Sequence, residues 1–259
     1  MRLLITNDDG INAQGLRTLV ERAQECPGIS VTVVAPDRER SATGHAISIH
    51  QPIDLREVEF GIAGARVFTT SGTPADCVKL AIQGVLEERP DFLISGINRG
   101  PNLGTDVFYS GTVSAALEGA LLGVKSMAVS LTAFENLDYT AAADFAIEQA
   151  LAAVSDPSWP LLVNVNVPAV PKESIAGVAI TRLGVQTYRD ALRRREDPRG
   201  RCWYWLSGVL VESEVTDDTD TCAIKRNLIS VTPLRVDLTD TRGIQTLARC
   251  SLRWPPDEA

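Results

Sequence analysis

The sequence predicts an α/β fold of Rossmann-like character, with three α/β/α layers around a mainly parallel sheet and a C-terminal, hairpin-containing extension used for oligomerisation. Three observations lead there. Short, continuously apolar runs alternate with helix-periodic segments through about the first 168 residues, as expected of strands buried on both faces beneath crossover helices. Three of those runs end in polar, glycine-containing loops, and a parallel sheet presents its binding crevice outside the carboxyl ends of its strands. Past Pro168 the alternation gives way to strand-like runs interleaved with a strongly charged stretch.

Each element has its own signal. Residues 3–6 are an apolar run closed by the turn sequence Asn7-Asp8-Asp9-Gly10. Leu16, Leu19, Val20 and Ala23 recur at i, i+3, i+4 and i+7, which is one face of a helix. Residues 31–35 read as a second buried strand, stopped by Pro36. Thr73-Pro74-Ala75-Asp76 supplies an N-cap, a proline at the first helical position and an acid in the first turn. Cys77, Val78, Ala81 and Val85 then give that helix its buried face. A strand at 92–95, a helix at 112–122, a strand at 127–131, an Ala-rich helix at about 141–154 and a strand at 161–167 follow. In the extension, strand-like runs at 178–183, 202–206 and 228–234 flank the charged segment 189–201, which reads as an exposed face or an interface. There is no internal repeat or low-complexity linker. The expected organisation is one domain over 1–259, with a core of about 1–168 and an extension of about 169–259.

Composition narrows the function classes. The chain of 259 residues has 25 Lys plus Arg against 33 Asp plus Glu, a formal net charge of −8. That balance argues against a nucleic-acid partner, which requires a basic face to displace phosphate counterions. A small anionic substrate stays compatible, because a local site can oppose the overall field. The opening apolar run is too short for a signal-peptide core, and no stretch approaches the roughly 18 apolar residues of a membrane span. Five scattered cysteines without a Cys-x-x-Cys pair, and two histidines in all, exclude a disulfide framework and a His-rich metal centre. The expected compartment is a reducing cytoplasm.

The three loops carry the chemistry. They are Asn7-Asp8-Asp9-Gly10-Ile11-Asn12, the segment 36–45, and the segment 96–104 running on to Tyr109-Ser110-Gly111-Thr112. Adjacent carboxylates at a strand tip repel unless a cation lies between them or one stays protonated. Asp8 and Asp9 therefore suit a hard divalent ion such as Mg²⁺, although Asp9-Gly10 also reads as a simple turn with one Asp capping the next helix. Ser41 and Asn98 add neutral oxygen donors that would complete such a shell; taken alone, each reads as a loop cap before it reads as a ligand. Ser110, Gly111 and Thr112 precede a helix, where backbone N–H groups hold a phosphate or Ser110 serves as an ordinary N-cap. His45 and His50 offer acid–base chemistry or a structural role. Arg38, Arg40 and Arg99 would neutralise a phosphate or remain solvated.

Taken in order, these motifs resemble the SurE family of survival proteins, divalent-metal 5′-nucleotidases. The resemblance runs through Ile5-Thr6-Asn7-Asp8-Asp9-Gly10, Ser41-Ala42-Thr43-Gly44-His45, Ser71-Gly72-Thr73-Pro74-Ala75-Asp76-Cys77-Val78, Ser95-Gly96-Ile97-Asn98-Arg99-Gly100-Pro101-Asn102 and Tyr109-Ser110-Gly111-Thr112-Val113. In the extension, Asp197-Pro198-Arg199-Gly200-Arg201, Asp220-Thr221 and Ser230-Val231-Thr232-Pro233-Leu234 are similar too. The segment 133–160 matches no motif of the family. The resemblance implies hydrolysis of nucleoside 5′-monophosphates by metal-activated water, with 3′-monophosphates and short polyphosphate as further substrates. It implies one Mg²⁺ or Mn²⁺ on Asp8, Asp9, Ser41 and Asn98, with Asp8 or Asp9 accepting a proton. Phosphate contacts would fall near Gly44, Asn98, Ser110, Gly111 and Thr112, in a cytoplasmic homodimer or homotetramer with exchanged C-terminal elements. Two rivals are a non-catalytic nucleotide or metal sensor on the same fold and a metal-dependent transferase.

Overall fold

In the computed structural model, which describes residues 1–189, 192–206, 208–211 and 216–250, the first strand shows why the apolar runs are continuous. Leu3 and Ile5 of β1 (Arg2–Thr6) enter one core cluster and Leu4 enters the other. Successive side chains of a strand point to opposite faces, so a strand covered on both sides has no polar face to keep. The helix α1 (Gln14–Glu25) packs Leu16, Leu19, Val20 and Ala23 into the first cluster together with α4 (Thr140–Ser155). On the other face, α2 (Pro74–Leu80) and α3 (Gly111–Leu121) contribute Cys77, Val78, Val113 and Ala116. The predicted N-cap is present at α2 and closes a capping box, where Thr73 Oγ1 accepts from Asp76 N at 3.1 Å and Thr73 N donates to Asp76 Oδ2 at 2.9 Å. That helix is shorter than its apolar spacing suggests, passing into a π-turn over Ala81–Val85 that leaves Val85 half-buried.

The main sheet has nine strands: β2 (Ser30–Pro36), β3 (Leu55–Glu57), β4 (Ala65–Thr70), β5 (Phe92–Arg99), β6 (Ser126–Leu131), β7 (Leu162–Val167), β8 (Gly177–Ile180) and β13 (Leu228–Pro233) join β1 in the order β3-β4-β2-β1-β5-β6-β7-β13-β8. Strands β4 to β7 across the centre are mutually parallel, whereas β3 and β13 pair antiparallel at the two sides. The chain winds outward from β1 through β2 and β4, then returns to place β5 on the other side of β1. The topological switch point, where a doubly wound sheet binds ligand, therefore lies between the carboxyl ends of β1 and β5. β5 runs four residues beyond the predicted 92–95, because its pairing with β6 shifts register between Ser95 and Asn98. Such an irregularity re-aims side chains at the end of a strand, and Asn98 thus comes from a strand end.

The extension joins this sheet. β13 pairs with β7, β8 pairs with β13, and Asp220 at the start of α5 (Asp220–Lys225) is fully buried. Asp220 Oδ2 accepts from Gly104 N at 2.7 Å and its Oδ1 from Gly184 N at 2.9 Å, which ties the extension to a 3₁₀ turn over Gly104–Phe108. β9 (Thr187–Arg189) ends where the charged segment begins, and β10 (Leu192–Glu196) lies within it. β10 pairs antiparallel with β11 (Cys202–Leu206), and β9 pairs with β12 (Val209–Val211), confirming the hairpin character read from the sequence. A short helix, α6 (Thr241–Leu247), follows. Among the described residues no helix is long and apolar enough to cross a membrane.

Candidate active site

The site begins where β1 runs out. Asn7 is fully buried and its Nδ2 donates to Gly10 O at 2.9 Å, closing the turn that presents Asp8 and Asp9 at the sheet edge. The segment after β2 crosses this turn, with Arg40 N donating to Asp8 O at 2.7 Å. The first turn of α3 presses on Asp8 from the far side. Thr112 Oγ1 donates a short hydrogen bond to Asp8 Oδ1, and a Cβ placed on Gly111 would lie 2.8 Å from both Asp8 Cβ and Oδ2. Only glycine permits that approach. Asp9 is held from β5, whose Arg99 N donates to Asp9 Oδ2 at 3.0 Å.

These carboxylates line a cleft of about 380 Å³ together with Ser41, Asn98 and Ser110. Five residues singled out in the sequence, spread over three loops, thus converge on one hollow. Asn98 Nδ2 donates to Gly100 O at 2.8 Å, which leaves its amide oxygen as the donor atom for a ligand. Ser41 Oγ donates to Glu39 Oε1 at 2.8 Å, so its lone pairs remain for an electrophile. Ser110 also serves as the N-cap of α3, accepting from Val113 N at 3.1 Å.

Gly44, Gly111 and Thr112 do not line the cleft. Gly111 and Thr112 stand behind Asp8, and the Thr112 side chain is committed to that carboxylate. Gly44 N donates to Tyr109 O at 3.1 Å, fastening the Ser41 loop to the rim. His45 Nε2 lies 2.8 Å from Glu118 Oε2, while Lys79 Nζ donates to Glu118 Oε1 at 2.6 Å. That buried carboxylate gives His45 a structural anchor. Arg40 reaches Ser71 O, and among the three arginines only Arg99 lines the cleft. Sequence reasoning missed Glu39, Asp106 and Phe134, which also line it. Their signal is absent from local pattern, because each reaches the cleft from a different connection.

The electrostatics of the cleft are lopsided. Asp8, Asp9, Glu39 and Asp106 face it against Arg99, whose guanidinium lies 3.9 Å from Glu39. Burial pushes the Asp8 carboxyl up to about 6; Thr112 opposes this and the neighbouring Asp9 charge adds to it. Burial raises Asp9 as well, opposed by the Arg99 backbone N–H and guanidinium. Two desolvated, adjacent carboxylates are the environment that a divalent cation relieves. Among the described residues no group of three His, Cys, Asp or Glu gathers as a metal cluster. The donors on hand are two carboxylates and two neutral oxygens. That set fits a hard ion that keeps several waters, and does not fit zinc or a soft metal.

The fold and site define a class: doubly wound α/β proteins with an acid-lined cleft at the β1/β5 switch point. The family model described as Survival protein SurE matches residues 3–190. The chain is 52% identical over 254 residues to a protein named 5′-nucleotidase SurE from Symbiobacterium thermophilum, covering 97% of this chain and 99% of that one. A protein of the same name from Synechococcus elongatus is 50% identical over 260 residues, covering 97% of this chain and all of the other. The crystal structure of the SurE protein from Aquifex aeolicus superposes with a TM-score of 0.81 at 35% identity, covering 96% of this chain and all of that one. The chain belongs to the SurE family.

Proposed function

We propose that this chain is a phosphatase that hydrolyses nucleoside 5′-monophosphates to nucleoside and phosphate, with 3′-monophosphates and short polyphosphate as further substrates, using one Mg²⁺ or Mn²⁺ held by Asp8, Asp9, Ser41 and Asn98. The observation that carries the reading is the convergence of those four residues on one cleft, and the names of the relatives support it. When bound, the cation would offset the two carboxylates, polarise the phosphoryl group and lower the pKa of water. The chain's own residues supply the rest. Bonds from Thr112 and Arg99 preset the two carboxylates, so little reorganisation is needed when substrate arrives. The start of α3 at Ser110 directs its helix dipole toward charge on the phosphoryl oxygens. Water attacks phosphorus in line, a carboxylate of the Asp8–Asp9 pair accepts its proton, and the P–O bond to the ribose breaks as the leaving oxygen takes up a proton. After chelator treatment the protein should release no phosphate from nucleotides, and added Mg²⁺ or Mn²⁺ should restore turnover. No phosphate from any nucleotide or aryl phosphate after resupply overturns the reading.

We also propose a cytoplasmic homodimer or homotetramer built through the extension. The five cysteines are odd in number and scattered, without a Cys-x-x-Cys pair, which supports a reducing compartment. The β10–β11 hairpin is exposed along both strands and carries Trp203, Tyr204, Trp205 and Leu206. A two-stranded hairpin is marginal alone in water, and this one needs cover. Light scattering after size exclusion should give a multiple of 27.9 kDa; a monomer would remove the proposal.

A further inference from the structure

Two aromatic rings lie open at the cleft. Phe134, in the connection between β6 and α4, and Tyr109, just after the 3₁₀ turn, are each 68% exposed, and both line the hollow that holds Asp8, Asp9 and Asn98. The seat of Phe134 is built for it. Gly100 lies against the ring at φ +106°, and a Cβ there would come within 2.4 Å of ring Cε1. Gly100 O also accepts from Asn98 Nδ2. The ring's seat and one oxygen donor of the site are therefore parts of a single short stretch of backbone. The connection is pinned on the strand side by Thr132 N to Val167 O at 3.0 Å and Ala133 N to Leu131 O at 2.8 Å.

A phosphoryl group needs only the polar floor of this cleft. A hollow of about 380 Å³ falls within the range that encloses a whole small molecule. Nucleobases present a π face whatever their identity, and open aromatic side chains bind them by stacking with little base preference. We propose that Phe134, with Tyr109 in the same cleft, forms a nucleobase subsite that favours nucleotides over phosphate esters lacking a base. This rests on the phosphatase reading above. It assigns a role to a residue in the segment for which the family resemblance supplies no motif.

The test compares a nucleoside 5′-monophosphate with ribose 5-phosphate, which has the same ester and no base, in the parent and in Phe134→Ala. The expected result is that the ratio of kcat/KM for nucleotide over ribose 5-phosphate falls about tenfold, or about 1.4 kcal/mol, mainly through KM. Phe134→Tyr should restore the ratio, and Phe134→Leu should restore only part of it. Free nucleoside, followed by calorimetry, reads the subsite without turnover, and its binding should weaken to the same degree in Phe134→Ala. An unchanged ratio with unchanged nucleoside binding overturns the proposal. So does an equal loss on both substrates accompanied by a fall in solution mass, which would make the ring an interface residue. Nucleoside binding that depends on Phe134 in a protein releasing no phosphate from either ester would retain the subsite and remove the hydrolase reading alone.

Discussion

In β1, neighbouring side chains go to different helical layers, Leu3 and Ile5 toward α1 and α4, Leu4 toward α2 and α3. In the β10–β11 hairpin, neighbouring side chains go to water on both faces: Trp203 and Trp205 to one, Tyr204 and Leu206 to the other. Both regions are rich in large apolar groups, yet one spends them within the chain and the other leaves them uncovered. The contrast separates what makes this chain fold from what remains available for assembly. The cleft lies at the boundary, since its rim turn at Gly104–Phe108 is fastened to the extension by Asp220, Gln186 and Tyr188.

The largest effect on stability should come from the interior of the sheet. Phe92 is fully buried in the cluster shared by α1 and α4. Phe92→Ala removes its ring from a site closed on all sides and should lower unfolding stability by about 3–5 kcal/mol. Urea unfolding measures it as a lower midpoint at similar slope. A loss under about 1 kcal/mol would mean that this layer relaxes far more readily than close packing allows.

Gly111→Ala strikes the boundary between fold and function. The added methyl meets Asp8 Cβ and Oδ2 at 2.8 Å, so either α3 or the carboxylate must move. Overpacking of this kind costs about 1–3 kcal/mol, less than the Phe92 change. The displaced Asp8 should lower turnover about a hundredfold, the scale of a misplacement near 1 Å. Thermal unfolding and phosphate release measured together separate the two consequences. Full turnover with lowered stability would show that α3 supports the helical layer and does not set Asp8.

The same contrast explains what could be read from the sequence. β1, β2, β5, β6 and β7 are legible because burial on both faces makes them continuous apolar runs. β4 escaped because its ARVFTT sequence carries only Val67 and Phe68 as large apolar groups, and its place beside β2 is a tertiary choice. β3, three residues at the sheet edge and all on the exposed side, has no burial pattern to detect. β10, with the sequence LRRRE, is a strand because β11 pairs with it. The cleft residues Asp8, Asp9, Ser41 and Asn98 were legible because three polar, glycine-containing loops end at the same edge of a parallel sheet, although each residue alone also reads as a turn or a cap. Thr112 on Asp8 is a contact between residues 104 apart in sequence, and Phe134 over Gly100 likewise comes from separate connections. Such pairs arise only when the sheet order is known.

The smallest effect on chain stability, and the sharpest test of the contrast, belongs to the hairpin. Trp203 and Trp205 lie opposite Arg195 and Arg193 on one face, and Tyr204 lies opposite Arg194 on the other. Trp203 and Trp205 are 58% and 66% exposed, so removing both uncovers little within the chain, and unfolding stability at low protein concentration should move by no more than about 0.5 kcal/mol per site. Solution mass should fall, because the apolar area that a second copy would cover is gone. Tyr204→Ala with Leu206→Ala reports on the opposite face. If both pairs lower the mass, cover reaches both faces, as an embraced or exchanged hairpin requires and a simple side-by-side stack does not. If neither pair does while stability falls by several kcal/mol, the hairpin belongs to the fold of its own chain, and the distinction between the two regions collapses.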